Sequence, residues 1–282
     1  MSKALFIGRS VIDLTNLVDE YPQADSKVRA LANDIIPGGS ALNAAVAFGY
    51  LGGEAHLASS FGSGGPFQAL LYDDLRKFGV KPVNLCADPN FRIPVSTVVS
   101  TRSSGDRMII NSASEECAHV RDLPDLFDSE YDLIQLDQYE RPFVQRHREA
   151  IRDFKGPVIL DCGGWKNCSR EYLRLADIPI VSEEFFAGGA DAFAAECAAL
   201  GIERWAMTRG PRGVIWQDGR RRGEIPALEV PVVDSLGAGD IFHGAFCHAY
   251  SENSEFVPAL ESANRFAALS CASSGTRSHM NR

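Results

Sequence analysis

Short apolar strands alternate with amphipathic helices along almost the whole chain, and this alternation restricts the fold more than any other feature. Strand-like runs fall at 4–8, 55–60, 132–136, 157–161, 178–181, 204–208 and 213–217. Helix-like runs fall at 40–51, 66–78, 142–154, 169–175, 189–200, 239–251 and 255–273. Strands separated by helices pair in parallel, so the order predicts an α/β fold with a mostly parallel sheet and helices on both faces. Two segments break the rhythm. Residues 12–36 and 91–111 read as alternating strands without a crossover helix, turning at Tyr21-Pro22-Gln23-Ala24-Asp25 and Ser103-Ser104-Gly105-Asp106. Together they form a small sheet standing off the main one, either a lid over a ligand or an antiparallel extension of the edge. No linker, repeat or low-complexity tract divides the chain, so a single domain over 1–282 is expected.

Hydrophobic content of 45% with 23% charged residues is ordinary for a globular enzyme, and 282 residues bury an ample core. The formal charge of −9 argues against a nucleic-acid surface, which needs a basic stripe. No apolar run is long enough to span a membrane, and the chain enters its first strand without a signal-like leader. Seven cysteines with no Cys-x-x-Cys pair suggest reduced thiols and a cytoplasmic location. Cys162 and Cys168 flank a Gly-Gly-Trp turn, but no second pair completes a zinc site, and no metal-ligating residue is assigned.

The segment Asp234-Ser235-Leu236-Gly237-Ala238-Gly239-Asp240 joins a strand-like run to a helix-like one. Glycines at such a junction leave backbone N–H groups open at the positive end of the helix dipole, which favours an anion. Asp240 then stands in the first helical turn. A carboxylate there is badly placed to bind the anion but well placed to take a proton from a hydroxyl attacking it, which points to phosphoryl transfer to an alcohol. A plain helix start with an acidic first turn uses the same residues. Near the other end of the chain, Gly38-Gly39-Ser40-Ala41-Leu42-Asn43 leads into a helix of small residues. It reads as a tight loop, or as a floor that reads the hydroxyls of a polar substrate. No Gly-x-x-x-x-Gly-Lys-Ser/Thr cradle or protein-kinase signature is present.

These two motifs in this order resemble the signatures of the ribokinase-like (PfkB) carbohydrate kinases, with Ser235 in a position usually held by Thr. Within the family the chain is most similar to the ketohexokinases, through Val11-Ile12-Asp13-Leu14, Leu17 to Pro22, Asp25 to Arg29, Ile93 to Val99 and Ser104 to Arg107. Bacterial sulfofructose kinases come next. The resemblance implies the three-layer ribokinase-like fold with a β-sheet lid, Asp240 as base, and Gly237, Ala238 and Gly239 as the anion hole. It implies that Asp13, Gly39, Ser40 and Asn43 contact sugar hydroxyls, that Asp25 arrives on the lid, and that Arg107 lies near the phosphates. Thr208-x-Gly210-x-x-Gly213 matches the family's nucleotide segment, where Gly237 and Gly239 also take part; a Gly-Pro-x-Gly hairpin turn explains it equally well.

ATP and Mg2+ follow as cofactors, with a K+ requirement left open. Where the family often carries Asn-x-x-Glu, this chain has Ser182 and Phe185, so magnesium is expected to arrive on the nucleotide. Each of the six histidines reads as structural; only His243 falls near the chemistry. The expectation is an ATP-dependent sugar kinase acting on a primary hydroxyl of a ketohexose such as fructose. A nucleoside kinase of the same superfamily and an inactive sugar-binding regulator are the other readings. An exposed apolar lid face further implies a homodimer through the lid.

Overall fold

The computed structural model describes residues 1–103, 107–112, 116–128 and 130–280. The turn expected at Ser103–Asp106 therefore lies mostly outside the described residues.

Nine strands form the main sheet, in spatial order β13-β12-β11-β10-β9-β8-β1-β4-β5. They are β1 (Lys3–Ile7), β4 (Glu54–Ser59), β5 (Lys81–Asn84), β8 (Leu133–Leu136), β9 (Val158–Cys162), β10 (Ile178–Ser182), β11 (Arg204–Thr208), β12 (Val214–Asp218) and β13 (Arg221–Ile225). All pairs from β5 to β11 are parallel, and β11-β12-β13 close one edge as antiparallel hairpins.

The strand pleat divides the core. On β1, Ala4 and Phe6 join one apolar cluster, while Leu5 and Ile7 join the other. The first cluster lies under α1 (Ser40–Tyr50), α2 (Gln68–Lys77), α7 (Ala238–Asn253) and α8 (Phe256–Ser270). The second lies under α3 (Arg141–Arg146), α4 (Arg148–Arg152), α5 (Ser169–Leu173) and α6 (Gly189–Ala199). Helices on both faces of a mostly parallel sheet give the expected α/β class.

Four further strands, β2 (Val11–Val18), β3 (Ala32–Gly38), β6 (Val95–Thr101) and β7 (Arg107–Asn111), build the small sheet in the order β3-β2-β6-β7. Its register sorts the side chains. Asp13 pairs with Ser96, and Ser96 with Asn111, so these three share a row on one face. Leu14, Thr97 and Ile110 form the neighbouring row and face the other way, with Ile35 beside Leu14.

Two details depart from the sequence reading. The helix expected at 142–154 is two short helices that break at His147, whose buried ring packs against Phe143 with centroids 4.4 Å apart. Strands β5 and β13 carry no apolar run, because they are the two edges of the sheet and need bury only part of their surface. Among the described residues, no helix is long and apolar enough to cross a membrane.

Candidate active site

The C-terminal ends of β1 and β8, the start of α1, the start of α7 and one face of the small sheet converge on a cavity of about 350 Å³. Asp13, Gly39, Ser40, Asn43, Arg107, Gly237, Ala238, Gly239 and Asp240 all line it. The structure thus brings together residues from both motifs and from the small sheet.

Close backbone packing puts the two helix starts side by side. Gly39 sits at φ 104 as N-cap of α1, and a side chain there would strike the Arg9 carbonyl. Gly237 sits at φ 69 as N-cap of α7, where an added Cβ would come within 2.6 Å of Thr276 Cγ2. Gly239 differs: a side chain there would enter open space, so the helix start is uncovered toward the cavity. The Ala238 N–H donates to the Ser235 carbonyl at 3.3 Å in the turn that leads into α7.

Asp240 is half-buried beside that helix start, and Asn43 Nδ2 donates to its Oδ2 at 2.8 Å. Burial pushes the Asp240 carboxyl up to about 6, and repulsion from buried Asp161 adds to the rise; the Asn43 bond works against it. Asp13, across the cavity on β2, is also raised to about 6, by burial first and then by Asp240, while Arg277 and Arg9 hold it down. A carboxylate in this range is ionised near neutral pH yet basic enough to accept a hydroxyl proton.

Ser40 Oγ donates to Asp137 at 2.6 Å, which fixes it at the cavity floor. Arg107 reaches across from β7 and donates to Ser235 Oγ at 3.1 Å, tying the small sheet to the loop before α7. Arg9, Tyr139, Ser96 and Asn111 also line the cavity, and the sequence reading did not single them out. Position after a strand's C-terminal end would have flagged Arg9 and Tyr139, which follow β1 and β8. Nothing local marks Ser96 or Asn111, which reach the site through strand register alone.

Other expected residues lie elsewhere. Asp25 is exposed at φ 58 in the connection between β2 and β3, in a turn closed by Ser26 N donating to the Gln23 carbonyl at 3.2 Å. The structure does not bring it to the cavity; its turn chemistry explains it. Thr208, Gly210 and Gly213 form the β11–β12 hairpin rather than a wall of this cavity. Gly213, at φ 78, is required because a side chain would strike the Ile225 carbonyl, and Arg209 N donates to the Gly213 carbonyl at 2.8 Å. Ser182 Oγ donates to the Gly163 carbonyl at 2.6 Å, and Phe185 is buried among Trp165, Phe186 and Phe193. His243 is buried with its ring nitrogens facing the Gly239 and Ile180 carbonyls at 2.8 and 3.1 Å, a structural placement.

A basic carboxylate beside an uncovered helix N-terminus, over a polar cavity capped by a second sheet, defines a phosphotransferase for a hydroxyl-bearing acceptor. The profile of the pfkB family carbohydrate kinases matches residues 1–282, and the chain belongs to that family. It is an ATP-dependent kinase of sugars or nucleosides. It is 26% identical to the ribokinase of Bacillus subtilis over 283 residues, covering 99% of this chain and 96% of that protein. It is 24% identical to the ketohexokinase of Mus musculus, covering 96% of each. In fold it is similar to the ribokinase of Arabidopsis thaliana solved with ribose and ATP, with a TM-score of 0.78 at 20% identity, covering 97% of this chain and 93% of that one.

Proposed function

We propose that this chain transfers the γ-phosphoryl group of ATP to a primary hydroxyl of a free sugar, with a ketohexose such as fructose as the first candidate. The observation that carries this reading is Asp240, half-buried in the first turn of α7 and facing a cavity lined by Asp13, Ser96, Asn111 and Arg9. As the hydroxyl oxygen attacks the γ-phosphorus, its proton passes to the Asp240 carboxylate. The bond from phosphorus to the β–γ bridging oxygen breaks, and ADP leaves. Backbone N–H groups at Gly237 and Gly239 meet the charge on the group in flight.

Asp13 and Asn43 orient the acceptor before that step. A cavity of carboxylate, amide, hydroxyl and guanidinium groups suits a ligand carrying many hydroxyls. The ketose preference rests on the ketohexokinase-like runs at 11–14, 17–22 and 25–29. In this reading the nucleotide extends from the helix start toward Thr208, Gly210 and Gly213, and Gly210 leaves open space beside it. In this reading magnesium arrives on the nucleotide phosphates and keeps several of its waters. Seven free thiols suit a reducing cytoplasm, and the outer face of the small sheet suits a homodimer.

Coupled measurement of ADP release across ketohexoses, pentoses, aldohexoses and nucleosides tests the substrate class. Fructose or another ketohexose is expected to give the highest kcat/KM. Activity on nucleosides with none on any sugar would overturn the proposal.

A further inference from the structure

The segment after α8 ends in a charged knot that no sequence motif announces. The Arg277 side chain is 13% exposed and so is that of Asp74 on α2; they meet through Nη2 at 3.0 Å and Nε at 3.2 Å, both on Asp74 Oδ2. Arg277 Nη2 also donates to the Pro37 carbonyl of β3 at 3.2 Å. Its Nη1 donates to Thr276 Oγ1 at 2.9 Å and to Asn43 Oδ1 at 2.9 Å. The other end of that same amide is the Nδ2 that donates to Asp240.

Asn43 therefore lies between a group that only donates and a group that accepts. A guanidinium has no acceptor and a carboxylate no proton to give, so only one orientation of the amide satisfies both partners. The flipped amide would set its NH2 against the guanidinium and its oxygen against Asp240, breaking both bonds. The neighbouring backbone reinforces the arrangement. Gly275 N donates to Asp234 Oδ2 at 2.8 Å, and the Thr276 methyl group fills the space beside Gly237. One short segment thus touches the loop before α7, the start of α1, α2 and the small sheet.

We propose that Arg277 is a positioning residue for phosphoryl transfer: anchored by Asp74, it holds the Asn43 amide so that its NH2 always faces Asp240. This rests on the reading of Asp240 as the base. Arg277 is not itself among the residues that line the acceptor cavity, and it acts through Asn43, which is. Its charge also lowers the Asp13 carboxyl across the same corner. Loss of Arg277 frees the amide to rotate, weakens the donor on Asp240, and makes both carboxyls easier to protonate.

The test is a set of variants, Arg277→Gln, Arg277→Lys, Asn43→Ala and the Arg277→Gln/Asn43→Ala double variant, with Asp74→Asn as a milder loosening of the anchor. Arg277→Gln is expected to lower kcat by about tenfold, the worth of one well-aligned hydrogen bond, with the nucleotide KM little changed. The acid limb of the kcat–pH profile moves to higher pH. Arg277→Lys keeps the charge without the fork and recovers only part of the loss. On the plateau of the pH profile, where Asp13 is ionised in every variant, the Arg277 substitution adds nothing to the kcat loss of Asn43→Ala, because its route through the amide is already gone. A purely structural role would lower the melting temperature while leaving kcat per folded molecule and the pH limb in place. That result, or effects that multiply in the double variant, overturns the proposal. If Arg277→Gln does not fold, Asp74→Asn carries the same comparison with a smaller loss.

A readout without turnover separates this inference from the kinase reading. In Asp-labelled protein, the carboxyl signal that disappears in Asp240→Asn is expected to titrate at higher pH in Arg277→Gln than in the unsubstituted protein. An unchanged titration refutes the positioning role whatever the acceptor turns out to be. An enzyme that phosphorylates nothing, yet shows the shifted titration, fails the kinase reading and keeps the positioning role.

Discussion

Asp13 and Asp240 face one cavity, and each has been pushed up to about 6, so below that pH neither carries its full charge. With Asp240 proposed as the base, which acts when deprotonated, the rate is expected to rise with pH through that region and level off above it, as a kcat–pH profile would show. The two groups repel each other, so the limb belongs to the pair rather than to either residue. The residues of the two motifs were legible because each is tied to a helix start: Gly39, Ser40 and Asn43 on one side, Gly237 and Asp240 on the other. Arg277 was not, since three of its partners, Pro37, Asn43 and Asp74, lie far from it in the chain and the interaction exists only after folding. Asp25 is the opposite case, outside the cavity in this structure. Its resemblance to a family position suggested a ligand contact, while its local sequence already described a turn.

At the scale of elements, the buried strands of the main sheet announced themselves and its outermost strands, β5 and β13, did not. Leu133-Ile134-Gln135-Leu136 reads as a strand because it lies inside the sheet; Arg221-Arg222-Gly223-Glu224-Ile225 does not, because an edge tolerates charge on both faces. The packing of α1 against α7 sets the distance between Asn43 and Asp240, and Gly244 controls it. A side chain at Gly244 would strike the Ala44 carbonyl and stand 2.7 Å from Ala47 Cβ. In an open helix Gly→Ala stabilises by about 0.5–1 kcal/mol. Here overpacking reverses the sign, and Gly244→Ala is expected to cost about 1–3 kcal/mol, read as a lower denaturant midpoint at unchanged slope. Because the strain separates the two helix starts, kcat falls as well. A stabilised Gly244→Ala protein would mean that the helices part without cost.

The whole molecule is two sheets facing each other across the site, and the small one is open on its far side. There Ile110 is 56% exposed, Ile35 45% and Met108 43%, an apolar patch on a four-stranded sheet with free edges. Pairing of two such faces is expected to give a homodimer by light scattering at micromolar concentration, and Ile110→Glu is expected to dissociate it. A monomer without any substitution would remove the dimer from this account. The fold class was legible at this scale from alternation alone, whereas the sugar was not, because Arg9, Tyr139, Ser96 and Asn111 reach the cavity from four separate segments. Asp240→Asn isolates the proposed proton transfer from binding. The substitution keeps the size of the side chain but removes its ability to take the hydroxyl proton. With the best acceptor from the substrate screen, kcat is expected to fall by about a hundredfold to ten-thousandfold while the sugar and nucleotide dissociation constants barely move. A variant that kept more than about a tenth of the normal kcat would contradict the account.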